Sequence, residues 1–312
     1  MGGHVSIIDV SPRDGLQNEP KPVSAEEKLR LIGKLAEAGI SSIQATSFVH
    51  PKWVPQMADA EQVSAGLANF SGITFSALIL NFKGYERALA AGFRDMDFSL
   101  PASDKFNQRN ANRSIAESLK LFEQIARASE RDGVMLRVGI SASFHCPFEG
   151  TIPVATVVNR VWQAREICAC RVGLSDTDGM AFPSQVKEAV TAVCDEVKLD
   201  PGEMILHFHD TYGRALSNAY AGLEAGVRTF DASVGGLGGC PYCPGASGNV
   251  ATEDLVALVE GLGYTTGIIM DKLLNAAEVA THYSSRPYEG HLLRVGRPRT
   301  AAAESQTSTP QS

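Results

Sequence analysis

"EAGISSI" (37–43), "AAGFRDM" (90–96) and "EAGVRTF" (224–230) are three copies of one phrase. In each, an amphipathic run reaches a glycine, an apolar residue follows, and a β-rich run begins. Gly39, Gly92 and Gly226 stand where a helix needs a left-handed residue just past its end. The phrase therefore reads as a helix stop fused to a strand start. Eight β-rich runs recur along the chain: "VSIIDV" (5–10), "SSIQAT" (41–46), "ITFSALIL" (73–80), "MDFSL" (96–100), "MLRVGISAS" (135–143), "RVGLSD" (171–176), "MILHFH" (204–209) and "RTFDAS" (228–233). Amphipathic segments follow them, among them "AEEKLRLIGKLAEA" (25–38), where Ser24, just before it, and Glu27 are placed as a capping box. Eight strand–helix units predict a (β/α)8 TIM barrel, a single α/β domain over residues 1–290. An open doubly wound sheet is the alternative; it usually has fewer strands, and no early G-x-G-x-x-G turn supports it. The segment 291–312, ending "TAAAESQTSTPQS", is small and polar and reads as a disordered tail.

Composition narrows the function. The chain has 312 residues, 44% hydrophobic and 20% charged, enough for a sizeable core. A net charge of −7 argues against nucleic-acid or anionic-membrane partners. No apolar run has the roughly 18 residues of a membrane span. The six cysteines do not make a disulfide framework at this length, and point to free thiols in a reducing compartment. With "MGGHVSIIDV" passing almost directly into a strand, no targeting segment is expected, and the expected location is cytoplasmic.

A barrel concentrates function where strands end. "SPRDGLQNEP" (11–20) follows the first strand, Gln44 to Ser47 close the second, and "SDTDG" (175–179) ends the sixth. In "MILHFHDTYG" (204–213), period two puts His207 and His209 on one face and Phe208 on the other. Two imidazoles on one short strand suggest a divalent metal site. Asp14, an ordinary turn residue if judged by its Asp-Gly dipeptide alone, becomes the natural carboxylate ligand on the same rim. Two imidazoles and a carboxylate leave open positions and suit Mg²⁺, Mn²⁺, Fe²⁺, Co²⁺ or Zn²⁺; non-haem iron oxygenases use the same set. Arg13, a solvated surface charge in the bland reading, can hold an anionic or enolate oxygen beside a metal. Asp176 is either a turn carboxylate or a group of the site. Cys240 and Cys243 form a lone C-x-x-C, which argues against a zinc knuckle. The glycine-rich loop that carries them (235–249) lacks the Lys-Ser/Thr of a P-loop. It is either a closing loop that delivers Cys240 as an acid/base or a flexible connection.

Four stretches then carry a likeness. "SPRDGLQNEP", "TSFVHPKWVPQM" (46–57), "HFHDTYG" and "GGLGGCPYCPGASGNVATEDLV" (235–256) closely resemble the 3-hydroxy-3-methylglutaryl-CoA (HMG-CoA) lyase family, over about residues 5 to 285. The resemblance implies metal-dependent retro-Claisen cleavage of HMG-CoA to acetyl-CoA and acetoacetate. It implies that Asp14, His207, His209 and Asn249 bind Mg²⁺ or Mn²⁺. Arg13 would steady the enolate of the departing acetyl-CoA, Cys240 would be the loop acid/base, and Asp176 would support proton transfer. The expected partner is an acyl-CoA substrate, and the expected assembly a homodimer or other homo-oligomer. The rival substrate is citramalyl-CoA, giving acetyl-CoA and pyruvate; a condensing acyltransferase or a non-catalytic barrel ranks lower. Three features depart from the family pattern. Gln44 stands where the family has a glutamate paired with the catalytic arginine, leaving Arg13 without a neutralising partner there. Pro20 precedes Lys21 where many members have lysine at once. "SFHCPFEG" (143–150) sets His145 beside Cys146.

Overall fold

The three repeated phrases turn the chain as their spacing predicts. Gly39, Gly92 and Gly226 have φ of 90°, 95° and 99°. The next residue in each donates its N–H back into the helix: Ile40 to Leu35, Phe93 to Ala88 and Val227 to Gly222, at 3.1, 3.0 and 3.0 Å. Those bonds satisfy carbonyls that the helix end would leave orphaned. Ile40, Phe93 and Val227 are themselves buried, so each turn drives the following strand inward.

This is a computed structural model, and it describes residues 2–239, 247–285 and 290–296. The barrel strands are β1 (Ser6–Asp9), β2 (Ser42–Ser47), β3 (Thr74–Ile79), β4 (Asp95–Ser99), β5 (Met135–Ile140), β6 (Arg171–Asp176), β7 (Met204–Phe208) and β8 (Thr229–Ala232). All neighbours pair in parallel, and β1 closes on β8 through Ser6↔Thr229 to Asp9↔Ala232. The register of β2 on β3 slips between Gln44 and Thr46. Such a bulge re-aims side chains at a barrel rim. The expected (β/α)8 barrel is therefore observed. Both Ser24/Glu27 and Ser114/Glu117 form capping boxes at the starts of their helices. A two-stranded hairpin, His145–Cys146 with Gly150–Thr151, is added after β5.

The outer faces of the strands and the inner faces of the helices make one continuous apolar layer. The lumen differs. Its buried apolar cluster is small, made of Ile8, Val10 and Ile205. Elsewhere it is ionic, where a (β/α)8 barrel is ordinarily filled by branched aliphatics. Arg137 grips Asp231 with both terminal nitrogens, Nη1 to Oδ1 at 2.8 Å. Arg171 Nη2 meets the two oxygens of Asp95 at 2.8 and 2.6 Å. Pairing is what makes the buried Arg137 and Asp231 charges tolerable away from water, while Arg171 keeps part of its side chain in solvent.

Residues 290–296 differ from the expected tail. His291–Val295 forms a short helix on the helix Thr252–Gly261. The N–H groups of His291 and Leu292 donate to the Asp254 carboxylate at 2.7 and 2.8 Å. A carboxylate from a neighbouring helix thus satisfies the orphaned first N–H groups. Residues 297–312 lie outside the described residues.

The glycine turns can be tested for cost. Gly92→Ala meets no heavy atom within 4 Å, so it isolates backbone strain, about 1–2 kcal/mol. Gly226→Ala would also press its Cβ to 2.8 Å from Pro201 Cγ. Urea unfolding should rank Gly226→Ala as the more destabilised; equal stability of both variants with the parent would contradict the turn assignment.

Candidate active site

Five residues after β1, Ser11–Gly15, form a single π-helical turn, a feature common at functional sites. Pro12 starts it, and Gly15 lets it lie against the β8 end: a Cβ there would be 2.7 Å from Ser233 Oγ and 3.0 Å from Leu237 Cβ. Ser11 Oγ accepts from Ser233 Oγ–H at 3.0 Å and Val234 N–H at 2.8 Å. The turn that carries Arg13 and Asp14 is thereby fixed to the start of the glycine-rich loop.

His207 and His209 project into the lumen mouth, as their spacing predicts. The ligand atoms of Asp14, His207 and His209 all lie within 4.8 Å of one another. His207 Nδ1–H donates to Asp231 Oδ2 at 3.1 Å, which leaves Nε2 bare towards the cluster. Burial raises the Asp14 pKa, but the Arg13 charge and the two histidines outweigh it and hold the carboxyl well below its usual range. Asp231 is likewise held low, by Arg137 and His207 acting against burial. Both carboxylates are ionised and ready to balance cations.

Asn249 joins the cluster at the ends of β7 and β8. Its backbone bridges His209 in antiparallel fashion. Its Nδ2 donates to Asp14 Oδ2 at 2.9 Å and to Leu237 O at 3.0 Å. Its Oδ1 and His209 Nδ1 are buried without a hydrogen-bond partner in the structure. A buried carbonyl oxygen with no donor is a costly state unless a cation or ligand meets it. Two imidazoles, a carboxylate and an amide oxygen are a donor set that fits a divalent ion.

Gln44 occupies a more specific place than a lost glutamate. Its Oε1 accepts from Arg13 Nε, while its Nε2 donates to Asp97 Oδ2. Asp97 also accepts from Ser76 Oγ at 3.0 Å and faces Arg137 Nε at 3.7 Å. Arg13 further binds Asp14 Oδ1 at 2.6 Å. The arginine is therefore not left uncompensated, a correction to the expectation from sequence: Asp14 pairs with it directly and Asp97 through the amide.

Asp176 stands apart from the cluster. It is fully buried, and its register partner is Phe208, not a histidine. Its carboxylate accepts from Ala181 N–H at 3.1 and 3.2 Å, and its backbone carbonyl accepts from His209 N–H at 3.2 Å. Burial, then the Asp178 charge, pushes its pKa up to about 7. Cys240, like Cys243, lies outside the described residues. Asp231, Arg137 and Asp97 are site-organising groups that the sequence reading did not single out. The visible signal was an ionic residue at the inward position of an otherwise buried strand, as in "RTFDAS", "MLRVG" and "MDFSL".

Closed parallel barrel, rim-mounted carboxylate and paired histidines together define a (β/α)8 barrel protein with a candidate metal site at its mouth. Residues 4–280 match the HMGL-like family, and the chain belongs to that family. It is 47% identical over 272 residues to the mitochondrial hydroxymethylglutaryl-CoA lyase of Macaca fascicularis, covering 87% of this chain and 83% of the relative. A hydroxymethylglutaryl-CoA lyase structure from Pseudomonas aeruginosa superposes with a TM-score of 0.90 at 39% identity, covering 95% of this chain and 98% of that one. An HMG-CoA lyase from Acinetobacter baumannii, solved with coenzyme A and 3-methylmalate, gives a TM-score of 0.90 at 38% identity, over 94% and 95% of the two chains.

Two tests follow from the polar network. Gln44→Glu places a carboxylate against Asp97, so the pair must keep a proton or separate. The single variant should lose activity, and adding Asp97→Asn should recover part of it; a double variant no better than Gln44→Glu would remove Asp97 from the argument. The second concerns Glu253, buried beside the loop start, where it accepts from Gly235 N–H at 3.1–3.2 Å. Burial lifts its pKa to about 8, and lifts Asp9 to about 6. The folded state thus holds protons that the unfolded chain releases above about pH 4. Stability from these groups is full below that value and is lost as pH rises to about 8. Thermal melts should fall across this window, and Glu253→Gln should flatten the slope; an unaltered slope would show that Glu253 does not titrate there.

Proposed function

We infer that the protein is a carbon–carbon lyase that cleaves HMG-CoA to acetyl-CoA and acetoacetate. The observation that carries this is the Asp14–His207–His209 cluster, with Asn249 Oδ1 and Arg13 converging on it at the barrel mouth. The family membership and the lyase relatives support the substrate, in preference to citramalyl-CoA. Asp14, His207, His209 and Asn249 would hold Mg²⁺ or Mn²⁺. When bound, the ion acidifies and orients the C3 hydroxyl of the substrate.

The chain's own residues supply the rest. The hydroxyl proton leaves, the C3 oxygen becomes the ketone of acetoacetate, and the C2–C3 bond breaks with its electron pair going to the thioester enolate. Arg13 meets that enolate oxygen, its guanidinium held in place by Gln44 and Asp14. Asp231 keeps the His207 tautomer fixed. The enolate carbon then takes a proton to give acetyl-CoA, and we assign that proton to Cys240 from the sequence resemblance. Asp176, whose pKa is raised, is assigned from the sequence resemblance to support the proton transfer from the hydroxyl. Cytoplasmic residence and self-association belong to the same reading and rest on the sequence.

Chelator-treated protein should lose HMG-CoA cleavage, measured as acetoacetate release, and Mg²⁺ or Mn²⁺ should restore it. Full turnover without metal would sink the assignment. Asp231→Asn should lower metal affinity or activity by about 10–100-fold, since it replaces the carboxylate that orients His207 with a neutral amide. Calorimetric titration of the metal separates this from a folding defect. Citramalyl-CoA cleaved faster than HMG-CoA would reverse the substrate choice.

A further inference from the structure

An inward glycine in a closed barrel leaves a hole. Gly139 on β5 and Gly173 on β6 are register partners, and both face the lumen. Arg137, two residues before Gly139, crosses the lumen to Asp231, and Ser175, two residues after Gly173, is the register partner of His207. Neither glycine has a φ in the left-handed region, so the backbone does not require them. Gly173 has an internal reason to be glycine: a Cβ there would sit 3.1 Å from Nε and Nη2 of Arg137. Gly139 has none, because the nearest atom to its Cβ position is Phe98 O at 3.9 Å. The registers of β5 with β4 and with β6 run unbroken through Gly139, so it marks no bulge, and a strand glycine of this kind suits a place where a ligand comes close.

The surroundings of Gly139 point the same way. Leu78, Ser99, Gly139, Ser141 and Ser175 are partly exposed, whereas the outward residues Ile79, Phe98, Ile140 and Leu174 are buried. Ser99 is the register partner of Gly139, and its Oγ lies 2.6 Å from Ser141 Oγ. Exposure confined to the inner face means that the mouth opens into a hollow here. That hollow borders the wall carrying His207 and Asp14, where the substrate's carbinol oxygen must lie for cleavage. The substituents on that carbon then fall within reach of β5 and β6.

We propose that Gly139 sets the size of an acyl pocket beside the metal centre, so that the enzyme takes 3-hydroxyacyl-CoA thioesters whose C3 substituent is larger than methyl. This rests on the lyase reading and names its substrate range. One of the Ser99 and Ser141 hydroxyls donates to the other, which leaves a single free O–H on this wall and the rest of it able to face an alkyl group. A side chain at position 139 would occupy the same volume.

The test compares HMG-CoA with its 3-ethyl and 3-propyl homologues, following acetyl-CoA release. Wild type should cleave the 3-ethyl compound with kcat/KM within about 10-fold of HMG-CoA, because room exists for the added carbon. Gly139→Val should lower the 3-ethyl to HMG-CoA ratio by about 10- to 200-fold, the discrimination that one methylene carries in a filled pocket, with Gly139→Ala between. Gly173→Ala, which disturbs Arg137, should lower both substrates by the same factor. Circular dichroism melts of each variant verify folding. Wild type active on HMG-CoA alone, or a Gly139→Val ratio equal to wild type, overturns this inference and leaves the lyase reading standing. Wild type inert on all three compounds overturns both.

Discussion

The Arg137 guanidinium, buried at the centre of the barrel, is the group around which the interior is arranged. Alone it would be prohibitively costly away from water. Its bidentate hold on Asp231, with Asp97 near its Nε, turns that cost into order. Asp231 carries the arrangement up to His207, and Asp97 carries it to Gln44 and so to Arg13. Both branches end at the candidate metal cluster. A lumen packed with aliphatic side chains would bury as well, but it would fix neither the histidine tautomer nor the direction of Arg13.

Between those branches, Gln44 has a chemical logic of its own. It must accept from a guanidinium on one side and donate to a carboxylate on the other. An amide does both at once; a carboxylate can only accept. The glutamine, where the resemblance leads one to expect glutamate, is therefore matched to Asp97, which lies two strands away on β4, two residues beyond the register partner of Ser76; the Ser76 hydroxyl bonds the same Asp97 oxygen. Substitution at one member of such a pair changes the requirement on the other, and the single position viewed alone looks like a loss.

The loops are held by a second buried system. Asp9, on the outward face of β1, accepts from Ser11 N–H at 2.9 Å and Thr252 Oγ1–H at 2.8 Å. Glu253 takes Gly235 N–H, and Asp254 takes the first N–H groups of the last helix. One short stretch, Thr252 to Asp254, thus ties together the Arg13 turn, the start of the glycine-rich loop and the residues 290–296. These are the segments that must keep a common geometry if substrate is to meet Arg13 and the cluster together.

Local chemistry was enough for the architecture and for half of the site. The helix-stop glycines, the capping boxes and the eight apolar runs each act within a few residues, so the barrel was legible. The rule that barrel strands deliver function at their ends gathered Asp14, His207, His209 and Arg13, because His207 and His209 share a strand face by period two alone. Pairings across the lumen were not legible. Arg137 with Asp231, and Gln44 with Asp97, join residues 94 and 53 positions apart. No local preference encodes which charged residue meets which; the barrel's closure and stagger decide it. The same holds for Gly139, which in sequence is one more small residue in a strand. Only the closed wall around it, with no protein atom in its Cβ position, makes it a hole beside the reacting centre.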